Sequence, residues 1–249
     1  MISGAAISGA HSPRAELGQF FTPQPVAAFV LDALMALGQG GGRLRVVDPA
    51  CGKGVFLREA RHRFPEAELW GCDLDAGLAG AWTEFSDTPR AHLFVQDGLV
   101  DAPLLGLGAG SFDLVIGNPP YGFDVPRQRP GERIEASFLK RFVELARRGG
   151  WVGAVVPEGI VANARSQGLR DWLLDRVGLA AVVALPETTF ARTGTHARTV
   201  VLLARKGRSG GGPALLARST AERGGRDGLR AYLAEVLAAL RNHVLGVRC

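Results

Sequence analysis

Short apolar runs alternate with stretches of helical periodicity along most of this chain, and that alternation narrows the possible folds more than any other feature. The runs Leu44–Val47, Leu69–Cys72, Leu93–Val95, Phe112–Ile116 and Trp151–Val156 read as strands, with helical patterns at Val55–Arg63, Ser137–Arg147 and Leu169–Arg176. Strands that recur with helices between them predict a parallel sheet covered on both faces, an α/β fold. Two further runs, Ala180–Leu185 and Thr199–Ala204, have no helical pattern between them and predict an antiparallel pair at one side of the sheet.

The ends of the chain read differently. Residues 1–16 are small, polar and aperiodic, and predict a flexible N-terminus. Thr22-Pro23 reads as a cap followed by a first-turn proline, opening a helix through Val26, Phe29, Val30, Ala33, Leu34 and Leu37 that the run Gly38 to Gly42 terminates. Residues 17–206 form the expected main domain. Beyond Lys206, residues 207–249 read as a Gly-rich linker and one amphipathic helix near 226–240, which either packs on the domain or stands as an appendage.

With 249 residues and 47% hydrophobic content the chain can build a sizeable core. Its three cysteines form no CxxC pair or Cys/His cluster, so neither a disulfide framework nor a metal site is expected, and a reducing cytoplasm is the natural compartment. No signal peptide or membrane span is expected either. A net charge of +5 suits a polyanion, and Arg127, Arg129 and Arg133 crowd one Pro/Gly-rich segment.

That segment follows Asn118-Pro119-Pro120-Tyr121, at the C-terminal end of the fourth expected strand, where open α/β sheets bind ligands. The Asn118 side-chain oxygen and the Pro119 carbonyl can accept from an amino group while Tyr121 offers a stacking face, so the tetrapeptide reads as a grip on a planar NH2. A β-turn with an aromatic cover is the plain alternative.

Upstream, Asp48-Pro49-Ala50-Cys51-Gly52-Lys53-Gly54 joins a strand to a helix start, where Gly52 and Gly54 allow close backbone approach and the helix N-terminus offers free N–H groups. A phosphate loop would need Gly at Val47 and Ser or Thr at Gly54, and a dinucleotide fingerprint would need Gly at Leu57, so both fail. Asp73, with Leu74 beside it, ends the second strand where ribose hydroxyls would lie, and Asp75 reads as a helix cap. Asp97-Gly98, after the third strand, is either an acceptor for an adenine amine or ordinary turn chemistry.

Together these segments resemble the S-adenosylmethionine-dependent DNA adenine-N6 methyltransferases, in the motif order of their gamma class, which includes type I modification subunits. The resemblance spans Gly18 to Lys206 and implies a Rossmann-like seven-stranded mixed sheet, six strands parallel and one antiparallel. It implies S-adenosylmethionine as cofactor, held by Phe21, Thr22, Pro23, Asp48, Ala50, Gly52, Gly54, Asp73, Leu74, Asp97, Gly98 and Asn118. It implies catalysis by Asn118, Pro119, Pro120 and Tyr121 on a flipped adenine, with Tyr121, Phe190, Arg127 and Arg129 as substrate-binding residues. Lys53 departs from the small residue usual in the family. His196 reads as a loop residue.

The implied partner is DNA, in a restriction-modification setting. Residues 207–249 are too few for the family's usual target-recognition domain, so specificity would come from a separate subunit, from the loop Gly122 to Arg133, or be loose. Methylation of ribosomal RNA or a protein glutamine, by enzymes sharing the tetrapeptide, is the alternative chemistry. A non-catalytic subunit of a larger assembly is the alternative of another class.

Overall fold

The computed structural model describes residues 20–40, 42–100, 108–122, 132–193, 197–207, 213–219 and 225–247. Strands β1 (Arg45–Asp48), β2 (Glu68–Asp73), β3 (Ala91–Val95), β4 (Phe112–Gly117), β5 (Ala146–Pro157), β6 (Val177–Ala184), β7 (Thr199–Lys206) and β8 (Leu215–Ala217) form one eight-stranded sheet in the order β3-β2-β1-β4-β5-β7-β6-β8. β1 to β5 are mutually parallel, β7 runs antiparallel between β5 and β6, and β8 pairs parallel with β6. The expected six parallel strands and one antiparallel strand are thus joined by an eighth, three-residue strand within the stretch read as linker.

Helices α1 (Gln24–Ala36), α2 (Val55–Arg63), α3 (Ile134–Leu145), α4 (Gly159–Ala162), α5 (Gln167–Leu174) and α6 (Gly225–Val247) flank the sheet, and a 3-10 helix spans Ala76–Phe85. One hydrophobic cluster buries α1, α2 and α6 against one face, while α3 and α5 close a second cluster on the other. Strands covered on both faces are apolar on both, which is why residues 114–116 of β4 and 151–156 of β5 read as continuous hydrophobic runs. Of the two readings for the last helix, packing is realised: Leu229, Leu233, Val236 and Leu240 are buried, and the Tyr232 hydroxyl donates to the Ala184 carbonyl at 2.8 Å. Among the described residues no helix is long and apolar enough to cross a membrane.

Two local expectations are corrected. Thr22 does not cap α1: Pro23 holds the cap position without a side-chain bond, its carbonyl accepts from Val26, and the in-helix proline is Pro25. The helix expected at Ser137–Arg147 begins earlier, at Ile134, and ends at Leu145, because the chain enters β5 at Ala146. Between Phe112 and Leu114 of β4 the β5 register jumps from Ala146 to Trp151, so Arg147–Gly150 bulge outward. Arg147 then donates to Asp113 at 2.6 Å, a tie that the helical pattern did not suggest.

Candidate active site

The C-terminal ends of β1, β2, β3 and β4 converge, and the segment Phe20–Pro23 lies against them. After β1, Asp48 turns back so that its Oδ1 accepts from Ala50 N at 3.1 Å. Gly54 caps α2 with φ 79°, a left-handed conformation that carries little cost only for glycine, and a Cβ there would stand 2.9 Å from the Phe85 ring. The turn is held from β2: Asp73 Oδ2 accepts from Gly52 N at 2.9 Å, and Asp73 Oδ1 accepts from Asp75 N at 3.0 Å. Trp82 of the 3-10 helix donates to the Gly52 carbonyl at 2.8 Å. Asp75 caps that helix through Gly77 N at 2.8 Å, as expected.

Past β3, Asp97 is half-buried and its Oδ1 accepts from Leu99 N at 3.0 Å, the turn bond of its plainer reading. Gly98 is fixed by packing: a Cβ would fall 1.8 Å from the Pro49 carbonyl oxygen, so the β1 and β3 turns touch backbone to backbone. Leu74 stands 45% exposed beside nearly buried Asp73, leaving an apolar surface next to the carboxylate at the sheet edge.

The electrostatics of this edge are those of carboxylates sharing a dry space. Burial pushes the Asp48 carboxyl well above the ordinary range, against the opposing bond from Ala50 and with help from Asp73. Burial likewise raises Asp73, partly offset by its bonds from Asp75 and Gly52. The same burial, with Asp48 and Asp73 nearby, raises the Cys51 thiol and carries Cys72 to about 12.

At the end of β4, the Asn118 carboxamide is oriented by a residue far away in sequence. Asn118 Nδ2 donates to the Phe20 carbonyl at 2.8 Å. A carbonyl oxygen can only accept, so the amide nitrogen must face it and Oδ1 must face the other way. That Oδ1 is buried and has no hydrogen-bond partner among the described residues. An orphaned buried acceptor costs about 1–3 kcal/mol, and Oδ1 is free to accept from a bound donor. Tyr121 is 5% exposed and stacks on Phe20 with ring centroids 4.9 Å apart at 26°; burial raises its phenol, whose oxygen also lacks a partner.

Phe21 lies over the glycine turn, its ring 3.6 Å from where a Gly52 Cβ would be, with the Lys53 ammonium 4.8 Å from the ring centroid. None of Thr22, Pro23, Pro119 and Pro120 is exposed. Phe190 is 1% exposed and belongs to the core cluster on the α1 face. The structure therefore brings together the turn, the acids, Phe21 and Asn118 to Tyr121, and places Phe190 inside the core instead of open beside Tyr121. Arg127, Arg129, Gly18 and His196 lie outside the described residues, while Arg133 pairs with fully buried Glu135 at 2.7 Å. Sequence reasoning missed Phe20, whose signal was its place beside Phe21, and Arg141, a buried arginine on α3.

Comparison with known proteins agrees with this geometry. The family model for N-6 DNA methylase matches residues 8–76, and that for Eco57I restriction-modification methylase matches residues 80–190. The type II methyltransferase M.XamI of Xanthomonas campestris pv. amaranthicola is 30% identical over 232 residues, covering 80% of this chain and 40% of that protein. The type I restriction enzyme StySPI methylase subunit of Salmonella potsdam is 26% identical over 83% of this chain and 44% of its own length. The type I restriction-modification methyltransferase subunit from Streptococcus thermophilus superposes with a TM-score of 0.70 at 24% identity, covering 90% of this chain and 53% of that one. This chain thus spans about half the length of these relatives, or less.

The sheet has the fold of a solved class I S-adenosylmethionine-dependent methyltransferase from Listeria monocytogenes, which superposes with a TM-score of 0.71 at 20% identity, covering 89% of this chain and 71% of that one. Two family models, one of N-6 DNA methylases and one of Eco57I-type restriction-modification methylases, match successive stretches of the chain, which is thus similar in sequence to N6-adenine DNA methylases. The residues gathered here fit S-adenosylmethionine: a glycine turn with carboxylates beside it, an apolar margin at Leu74 and a buried amide acceptor.

Proposed function

We propose that this chain is a methyltransferase catalytic domain acting on the exocyclic N6 amine of adenine in DNA. The observation that carries the reading is the buried, partnerless Asn118 Oδ1, whose direction is set by the Phe20 carbonyl. When bound, S-adenosylmethionine supplies an electrophilic sulfonium methyl. Phe21, Thr22, Pro23, Asp48, Ala50, Gly52, Gly54, Asp73, Leu74, Asp97, Gly98 and Asn118 would hold it. Asp73 would take the ribose hydroxyls and Asp97 the adenine amine.

The chain's own work at the acceptor is positional. Asn118 Oδ1 and the Pro119 carbonyl accept the two N–H groups of the target amine and withdraw its lone pair from conjugation, leaving the nitrogen nucleophilic. Pro119 and Pro120 fix the backbone so that these acceptors need not reorganise. Tyr121 receives the face of an adenine turned out of the duplex. Because Tyr121 and Phe190 are 5% and 1% exposed, base entry requires the Phe20–Tyr121 stack to open. Basic residues of the 122–133 loop, including Arg127 and Arg129, would take backbone phosphates, and a separate subunit would supply site choice.

The test is an acceptor panel: labelled cofactor with duplex DNA, RNA, and a glutamine-containing release-factor peptide. Label entering DNA supports the reading. Label entering only RNA or peptide moves the chain to a relative's chemistry, and label entering none when candidate subunits are supplied makes it a non-catalytic component.

A further inference from the structure

Arg141 lies on α3, the helix that follows the tetrapeptide in sequence, and its side chain points into the protein. It is 5% exposed, and its guanidinium donates from Nε to the Gly98 carbonyl and from Nη2 to the Val100 carbonyl, each at 3.2 Å. Glu144, one turn on along the same helix, stands 3.9 Å from the guanidinium and is 53% exposed.

Burying an arginine is costly unless its donors are satisfied, and here backbone carbonyls of one short loop take two of them. The loop they hold carries Asp97 and Gly98, and Gly98 is pressed on the Pro49 carbonyl of the β1 turn. Arg141 is also the cation that acts on Cys72, opposing Asp48, Asp73 and Asp97. One side chain therefore ties the catalytic-side helix to the loop after β3 and sets a positive charge behind the acidic edge.

We propose that Arg141 is a positioning residue for the cofactor pocket: by clamping the Gly98 and Val100 carbonyls it aims the Asp97 carboxylate at the cofactor's adenine amine. This rests on the reading of Asp97 as the adenine acceptor. Lysine has one ammonium in place of a planar fork and cannot hold both carbonyls in the same geometry, so the clamp is specific to arginine.

The experiment measures calorimetric affinities of the wild-type chain, Arg141→Met and Arg141→Lys for S-adenosylhomocysteine and for S-inosylhomocysteine, in which an oxygen replaces the adenine amine. The wild type is expected to prefer the adenine form by roughly ten- to a hundredfold, as for a hydrogen bond to a charged acceptor. In both variants that preference falls to roughly threefold or less. A variant that merely loosens the fold loses affinity for both ligands in proportion and keeps the preference; that result, in Arg141→Lys where folding is least disturbed, overturns the proposal. Absence of any preference in the wild type overturns the Asp97 reading itself, and the Arg141 proposal with it.

Discussion

Replacing Asn118 by Asp changes one atom, and the structure says what that atom meets. The nitrogen that donates to the Phe20 carbonyl at 2.8 Å becomes an oxygen, so an ionised carboxylate would set two acceptors face to face in a buried site. Losing the bond and leaving both groups unsatisfied costs about 1–3 kcal/mol. Protonation relieves this, because the acid O–H can donate to Phe20 while its carbonyl oxygen takes the place of Oδ1. The variant's carboxyl is therefore expected to titrate well above the ordinary ~3.9 of an aspartic acid. Its methyl transfer should rise as pH falls through that raised value. Asn118→Ala has no acceptor at any pH and should lose roughly 10²–10³ in turnover, the usual cost of removing one preorganised electrostatic partner. Single-turnover transfer at pH 5.5 to 8.5, with cofactor affinity measured alongside, reads both variants. Retention by Asn118→Ala of more than about a tenth of wild-type turnover, or an Asn118→Asp profile parallel to the wild type's, would refute the assignment of Oδ1 as acceptor.

Three further outcomes follow from the same edge. Gly98→Ala must move backbone, because the new methyl carbon would stand 1.8 Å from the Pro49 oxygen; a loss of about 3 kcal/mol or more in urea unfolding is expected, at the upper end of overpacking costs. Asp48→Asn keeps an acceptor for Ala50 N and removes a buried acid. A carboxyl raised in the folded state costs no stability below its unfolded pKa and imposes its full penalty once pH has risen through the folded one, so the variant's Tm should exceed the wild type's at pH 7.5, with the advantage shrinking toward pH 4. An advantage that grows on acidification would contradict the burial argument. Cys51 and Cys72, both buried with raised thiols, should stay unmodified by iodoacetamide at pH 8 in the folded protein and react on unfolding, as read by peptide mass mapping.

What the sequence made legible was whatever is local. The strand-helix alternation, the antiparallel placing of β7 and the position of Asn118 to Tyr121 at a strand end all follow from runs of neighbouring residues. Asp48 and Asp73 also fell at the last positions of β1 and β2, and Asp97 two residues past the end of β3. What stayed hidden depends on contacts between distant residues. Phe20 orients Asn118 through a main-chain carbonyl across 98 positions, and a backbone atom leaves no trace in residue identity. Arg141 reaches the loop after β3 from a helix whose other buried positions are mostly apolar, so its pattern suggests an exposed residue. Phe190 is expected beside the base from its place in the motif order, and only packing decides that it is buried. The early entry into β5 was obscured because Arg147–Gly150 bulge out of register and break the alternation of a strand.

The most direct test of the central claim is nucleoside mass spectrometry of duplex DNA after incubation with the chain and S-adenosylmethionine. N6-methyladenine that appears with the wild type and is lost with Asn118→Ala is the predicted result. Methylation confined to cytosine, or adenine methylation unaffected by Asn118→Ala, would contradict it.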